Sequence, residues 1–160
     1  MKAADKTLID LPRFIAEQRR ERYPSFVVHG RPLSGKSTFA RELAKQPNVA
    51  YLDVLSTIAE NQTLAGQIDQ VDASTLQQLI LTHAATRPAN VLLIDELDFL
   101  LYTWTNDLTP FIEMVTRLVN PGKPIVFGFF VQTRPVFDEW SLLTAGRVRR
   151  VINFEDIKPL

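Results

Sequence analysis

Residues 30–37 have the pattern G-x-x-x-x-G-K-S, and no other stretch restricts the possible folds of the chain as strongly. A loop that surrounds a polyphosphate must direct several backbone N–H groups inward, and Gly30 and Gly35 allow the tight turns and close approach that this requires. Lys36 would place its ammonium group against the β- and γ-phosphates, and Ser37 would offer its hydroxyl to Mg²⁺. The predicted phosphate contacts are Gly30, Arg31, Pro32, Leu33, Ser34, Gly35, Lys36, Ser37 and Thr38.

The sequences on either side supply the setting that this pattern, the Walker A motif, requires. Residues 25–29 are mostly apolar and predict a short buried strand, and residues 37–44 predict a helix. The positive N-terminal end of that helix would add to the attraction for phosphate. Strand, loop and helix in this order favour a phosphate-binding loop over a chance glycine-rich turn.

Residues 91–96 form a run of four aliphatic side chains that ends in Asp95 and Glu96. Consecutive aliphatic residues are typical of a strand buried on both faces of a parallel sheet. Beside a Walker A motif this is the Walker B pattern, in which Asp95 would hold Mg²⁺, usually through water, and Glu96 would accept a proton from the attacking water. Without the first motif, a strand that ends in a charged turn would explain the stretch as well.

The rest of the chain alternates predicted strands with predicted helices. Further strands are predicted over 49–54, 125–131 and 151–154, and helices over 9–22, 74–86, 106–119 and 135–144. Asp10 would cap the first helix, and Ser74 would begin a capping box with Gln77. Gly128 indicates a close approach by a neighbouring backbone. The segment 56–72 has no clear assignment.

Connections of this length permit right-handed crossovers between parallel strands. We therefore predict an α/β fold in which a parallel sheet is covered by helices on both faces and binds its ligand at the carboxyl ends of the strands. The length of 160 residues suits one domain, here taken as 1–160, with an N-terminal helix in 1–24 and a nucleotide-binding core over 25–155.

The composition argues against several classes of protein. Eighteen basic and eighteen acidic residues give no net charge, which argues against a strongly basic nucleic-acid module, although the basic segments near 13–22 and 147–150 leave DNA contact open. There is no cysteine, hence no disulfide or thiolate metal site. No apolar run is long enough for a membrane span, and residues 1–6 show no signal-peptide core. A soluble cytoplasmic protein without membrane contact is expected.

The two motifs, the polar strand end Gln132-Thr133 and the arginines before the last strand resemble P-loop NTPases with an additional strand and a catalytic glutamate, and more narrowly the AAA-type ATPases. The resemblance extends from Phe26 to Phe154. It implies a five-stranded sheet of order 5-1-4-3-2 and hydrolysis of ATP with Mg²⁺. It also implies a phosphate-sensing role for Gln132 or Thr133, and an arginine near Arg147 that acts across a subunit interface, hence a homo-oligomer.

Only residues 155–160 follow the last predicted strand, so the C-terminal helical lid usual in AAA proteins is not expected. The small size, the insert Arg31-Pro32-Leu33 and the apolar stretch after Glu96 also resemble BrxF, the small P-loop protein of bacteriophage-exclusion (BREX) defence systems. That resemblance implies a role in phage defence beside larger ATPase and methyltransferase partners.

Three functions of different classes remain open at this point. An ATPase would use Lys36 for phosphate, Glu96 for water and Gln132 as sensor. A small-molecule or nucleotide kinase would use Asp53 to bind the acceptor hydroxyl, although an aspartate at that position more often caps the next helix. A nucleotide-dependent module without efficient hydrolysis would bind protein partners or DNA. Arg147 is a candidate finger in a neighbouring site, and a surface arginine is the alternative.

Overall fold

A parallel five-stranded sheet lies at the centre of the fold. The structure is a computed structural model and describes residues 7–104 and 107–160. The strands are β1 (Ser25–Gly30), β2 (Val49–Asp53), β3 (Val91–Asp95), β4 (Val126–Gln132) and β5 (Val151–Asn153). Their spatial order is β2-β3-β4-β1-β5, with parallel pairing throughout. This is the predicted order 5-1-4-3-2 counted from the other edge, so the predicted fold class is confirmed.

Helices connect the strands and lie on both faces of the sheet. They are α1 (Leu11–Gln18), α2 (Lys36–Leu43), α3 (Val54–Glu60), α4 (Gln62–Ala65), α5 (Ala73–Ala85), α6 (Asp98–Thr103), α7 (Thr109–Arg117) and α8 (Val136–Glu139). Short 3₁₀ turns occur at Ile68–Gln70 and Phe154–Asp156. None of the described helices is both long and apolar enough to cross a bilayer.

Side-chain caps decide where several helices begin. The Asp10 carboxylate accepts a hydrogen bond from the Arg13 N–H at 3.2 Å, as the sequence predicts, although α1 ends earlier than expected, at Gln18. The predicted capping box at Ser74 is wrong, because Asp72 caps α5 instead. Both the N–H and the hydroxyl of Thr75 donate to Asp72 at 2.8 Å, which satisfies one of the unpaired N–H groups of the first turn.

The structure assigns the segment that the sequence left open, and it shortens two more of the predicted helices. The unassigned segment 56–72 contains most of α3, all of α4 and a 3₁₀ turn. The helix predicted over 106–119 begins only at Thr109, where a proline in the first turn favours a start, and it follows a separate helix α6. The helix predicted over 135–144 is limited to α8. Asn106, the predicted first residue of that helix over 106–119, lies outside the described residues. Residues 1–6, in which no signal-peptide core was expected, also lie outside them.

The sheet separates two apolar layers. α5 and α7 contribute to the layer on one face, and α1 and α2 contribute to the layer on the other. At Gly128 on β4, a Cβ would lie 2.3 Å from Cζ of the fully buried Phe26 ring. The predicted close approach at Gly128 therefore exists, but an aromatic ring makes it rather than a backbone.

Candidate functional site

The Walker A loop connects the end of β1 to the start of α2. Gly35 caps α2 with φ of +96°, a conformation that favours glycine. A Cβ on Gly30 would meet the side chains of Lys36, Ser34 and Phe154 at 3.1 Å, so this glycine lets the loop fold tightly over β1. Lys36 is only 8% exposed, and its Nζ donates to the Arg31 carbonyl at 3.0 Å, across the turn.

Asp95, the last residue of β3, is almost completely buried, with 3% exposure. Its two carboxylate oxygens accept from different donors. The Tyr51 hydroxyl donates to Oδ2 at 2.7 Å, and the Glu96 N–H donates to Oδ1 at 2.8 Å. Two charge-assisted hydrogen bonds fix the orientation of this carboxylate at the carboxyl edge of the sheet.

Glu96 turns back towards the phosphate loop. Its φ of 57° lies in the left-handed region, which costs a non-glycine residue on the order of 1 to 3 kcal/mol. In that conformation Oε1 accepts a hydrogen bond from the Ser37 hydroxyl at 3.2 Å. The predicted proton acceptor and the predicted metal-binding hydroxyl are therefore neighbours.

Gln132 closes the site from β4. Its N–H donates to Asp98 Oδ1 at 2.8 Å, and its side-chain Oε1 accepts from the Tyr102 hydroxyl at 3.1 Å. Burial raises the pKa of Asp98, and the bond from the Gln132 N–H opposes this rise. Gln132 and Gly30 are register partners, so β4 carries this side chain directly beside the base of the loop.

These groups surround a cavity of about 440 Å³, large enough for the polyphosphate part of a nucleotide. Its walls are residues 32–38 together with Arg41, Asp95, Glu96, Asp98 and Gln132. Gly30 and Arg31, also predicted as contacts, do not line it. Sequence reasoning missed Asp98 and Arg41. Asp98 follows Glu96 closely in the same acidic run, and Arg41 lies one helical turn after Ser37, so spacing offers a signal for both.

Arg147 does not line this cavity. It lies in a tight turn with φ of 62°, beyond the end of α8, and its N–H donates to the Thr144 carbonyl at 2.9 Å. Its side chain is exposed. The other two arginines of this segment have structural roles, since Arg149 donates to the Phe137 carbonyl and Arg150 donates to three carbonyls, those of Tyr23, Ser25 and Leu143.

Asp53 does not line this cavity. Its Oδ1 accepts from the Ser56 N–H at 2.9 Å and thereby caps α3. This is the capping role that its position suggested as the more frequent one.

The fold, the loop and the Walker B carboxylates agree with a comparison against protein families. The sequence model of the ATPase family associated with various cellular activities (AAA) matches residues 26–155. The chain belongs to the AAA family. Neither the curated proteins nor the solved structures provide a match. Membership of the AAA family supports, at a general level, the description of this protein as a nucleotide-binding ATPase.

The oxygen donors at the site of this AAA protein suit Mg²⁺. Magnesium is usually bound by one or two protein oxygens together with substrate phosphates and water. The Ser37 hydroxyl and the buried Asp95 carboxylate supply such oxygens, and the cavity leaves room for phosphates between them and Lys36. The residues present therefore fit the metal that the family typically uses.

Proposed function

We propose that this protein binds Mg-ATP and hydrolyses it to ADP and phosphate. The observation that carries the proposal is the convergence of Lys36, Ser37 and Glu96 on one cavity at the carboxyl edge of the sheet. A cation for phosphate, a hydroxyl for metal and a carboxylate for water are the groups that phosphoryl transfer to water requires.

Binding would exchange bonds that the protein makes with itself. Lys36 Nζ would leave the Arg31 carbonyl for the β- and γ-phosphate oxygens, and backbone N–H groups of residues 32–38 would donate to the same polyanion. Ser37 and Asp95 would hold Mg²⁺, which when bound neutralises charge that develops on the phosphates.

Glu96 would then act as general base. Its carboxylate lies at the mouth of the loop and is bonded to Ser37, so release of that hydroxyl frees Oε1 to accept a proton from water. Gln132, oriented by Tyr102 and Asp98, would hydrogen bond to the γ-phosphate or to the water. The roles of Glu96 and Gln132 are proposed because both side chains line the cavity.

The kinase alternative has less support, because Asp53 caps α3 and its carboxylate is already engaged. A phosphate-release assay tests the proposal and separates the alternatives. Wild-type protein should release phosphate from ATP only with Mg²⁺, and Lys36→Ala, purified in parallel, should not. Phosphate transfer only when a candidate acceptor is added would favour the kinase. No release under any condition, with nucleotide or DNA binding retained, would favour the binding module.

We further propose that the protein works inside an assembly, either with its own copies through Arg147 or as a regulatory or motor-like part of a larger complex such as a phage-defence system. The second possibility rests on the sequence resemblance to BrxF alone. If it holds, cells that carry the complete system should lose phage resistance when Lys36→Ala replaces the wild type. A cytoplasmic location also belongs to this proposal, and a chain without cysteine is compatible with a reducing compartment.

A further inference from the structure

We propose that Tyr51 is a positioning residue for the metal site, and that its hydroxyl holds the Asp95 carboxylate in the orientation that Mg²⁺ requires. This inference rests on the proposed binding of Mg-nucleotide. Neither the Walker motifs nor the family match assigns a role to Tyr51, which lies on a different strand from both motifs.

Strand register explains how the contact arises. β2 and β3 are parallel neighbours, with Tyr51 opposite Leu93 and Asp53 opposite Asp95. Side chains alternate between the two faces of a sheet, so Tyr51, Leu93 and Asp95 share one face. The length of a tyrosine side chain suits the diagonal step from position 51 to the carboxylate at position 95. Tyr51 also packs on the apolar layer that contains α2, which limits the positions its ring can adopt.

The bond is short and charge-assisted, with 2.7 Å between the Tyr51 hydroxyl and Asp95 Oδ2. A tyrosine phenol carries its proton throughout the neutral range, so the Tyr51 hydroxyl can act as the donor in this bond. The Ser37 hydroxyl donates to Glu96 and not to Asp95. Within the described part of the chain, Asp95 thus accepts hydrogen bonds from the Tyr51 hydroxyl and from the adjacent Glu96 N–H.

Each carboxylate oxygen has two lone-pair directions, and the two bonds use one direction on each oxygen. The remaining directions stay available to Mg²⁺ or to its bound water. The Tyr51 hydroxyl therefore leaves oxygen lone pairs of Asp95 free to bind the metal, and it restricts rotation of the carboxylate. Loss of such an outer partner typically weakens metal affinity or activity by about 10- to 100-fold.

The test compares Tyr51→Phe, which removes only the hydroxyl, with the wild type. A non-hydrolysable ATP analogue is titrated calorimetrically in excess Mg²⁺ and again in chelator. The dissociation constant in chelator divided by the constant in Mg²⁺ measures how much the metal strengthens binding. We expect Tyr51→Phe to reduce this ratio about tenfold or more while the constant in chelator stays within about twofold of the wild type. Tyr23→Phe removes a phenol hydroxyl from a residue before β1, outside the nucleotide cavity, and should leave both constants unchanged.

A double-mutant cycle identifies the route of the effect. In an Asp95→Asn background the metal carboxylate is gone, so Tyr51→Phe should cause no further loss in the ratio. An undiminished ratio in Tyr51→Phe, with the analogue still bound, would overturn the inference and leave the proposed function standing. A loss of affinity that is equal with and without Mg²⁺ would also overturn it, because a merely structural role predicts that result. If the wild type binds no analogue at all, both proposals fail.

Discussion

At the scale of single residues, three polar side chains of the site hydrogen bond to neighbouring groups of the protein itself. Lys36 donates to the Arg31 carbonyl, Ser37 to Glu96, and Tyr51 to Asp95. Buried polar groups without partners are costly, so these bonds stabilise the fold around the site. In the proposed function, the first two bonds would be exchanged for bonds to nucleotide and metal, while the third can persist. The measured affinity for nucleotide would therefore reflect the difference in free energy between the bonds within the protein and the bonds to the ligand.

Lys36→Ala should weaken ATP binding by at least about tenfold, because it removes the ammonium group that meets the polyphosphate. Calorimetric titration of ATP into the wild type and the variant measures the difference. Lys45→Ala is the matched control, since Lys45 lies beyond the other end of the same helix and pairs on the surface with Glu42. Equal affinities for wild type and Lys36→Ala would show that the loop does not bind phosphate.

Glu96→Gln should retain ATP binding and lose hydrolysis. Glutamine is nearly isosteric and can still accept from Ser37, but it cannot take a proton from water, and loss of a general base costs about two to four orders of magnitude in rate. Steady-state phosphate release gives the rate, and titration gives the affinity. Glu60→Gln, on the exposed end of α3, is the control. Turnover at the wild-type rate would remove Glu96 from the mechanism.

At the scale of elements, the sequence predicts best where local pattern decides structure. The aliphatic run of β3 and the glycine pattern of the loop are local, so these elements could be predicted. The two motifs taken together also predicted that Lys36 and Glu96 would serve one site, and both residues line the same cavity. The Tyr51–Asp95 bond depends on the register of strands that are far apart in sequence, and the left-handed conformation of Glu96 has no local signal. The short helices α3 and α4 are fixed by single caps, Asp53 and Asn61, which periodicity does not detect.

Gly128→Ala should destabilise the fold by about 1 to 3 kcal/mol, because the added methyl would overlap the Phe26 ring inside a filled layer. Thermal and denaturant unfolding measure the change. Gly146→Ala serves as the comparison, since a Cβ there meets nothing closer than 3.8 Å. If both variants unfold like the wild type, the packing between β1 and β4 is looser than described.

His29 links β1 to the end of β4, and it should make stability depend on pH. Its ring Nδ1 lies 3.0 Å from the Thr133 hydroxyl. Burial lowers the pKa of His29 from its ordinary 6.5; among nearby charges, Asp138 opposes this and Arg149 reinforces it. The unfolded chain then binds the proton more readily, so the stabilisation is complete above about pH 6.5 and is lost as the pH falls towards the folded-state pKa.

Melting temperatures at about pH 7.5 and 5.5 test this, since the two values lie on either side of the ordinary histidine pKa. The wild type should lose more stability between them than His29→Gln, which can bond to Thr133 but does not titrate. Carboxylates and His83 affect both proteins alike, so the difference isolates His29. Identical losses would mean that His29 titrates equally in the folded and unfolded states.

At the scale of the whole molecule, the cavity at the Walker A loop and the turn that carries Arg147 are separate features. The turn is held by two bonds between Thr144 and Val148, with 2.8 Å from the Thr144 N–H to the Val148 carbonyl and 3.0 Å from the Val148 N–H to the Thr144 hydroxyl. Such a turn presents an exposed arginine on a fixed backbone. A role in catalysis then requires a second protein whose nucleotide lies against it.

A mixture of Lys36→Ala and Arg147→Ala should recover part of the hydrolysis that each variant lacks alone, if Arg147 acts in a neighbouring site. One interface in the mixed assembly would combine an intact loop with an intact arginine, and an arginine finger can contribute about three to five orders of magnitude in rate. Phosphate release from the separate and mixed variants is the measurement. Arg13→Ala, an exposed arginine on α1, should be fully active.

Two results would exclude Arg147 as a finger. The first is an Arg147→Ala protein as active as the wild type. The second is a monomer that keeps full activity at high dilution, shown by sedimentation or light scattering together with the phosphate assay.

The position of β1 in the sheet has a consequence for how the chain folds during synthesis. β1 and the loop that follows it leave the ribosome early, but both partners of β1 come late, β4 from 126–132 and β5 from 151–153. At about 5 to 20 residues per second, the nascent phosphate loop waits on the order of 5 to 20 seconds for its first neighbouring strand. Until then the apolar residues of β1 have no neighbouring strand to pair with, and we expect a chaperone to bind the nascent chain at β1.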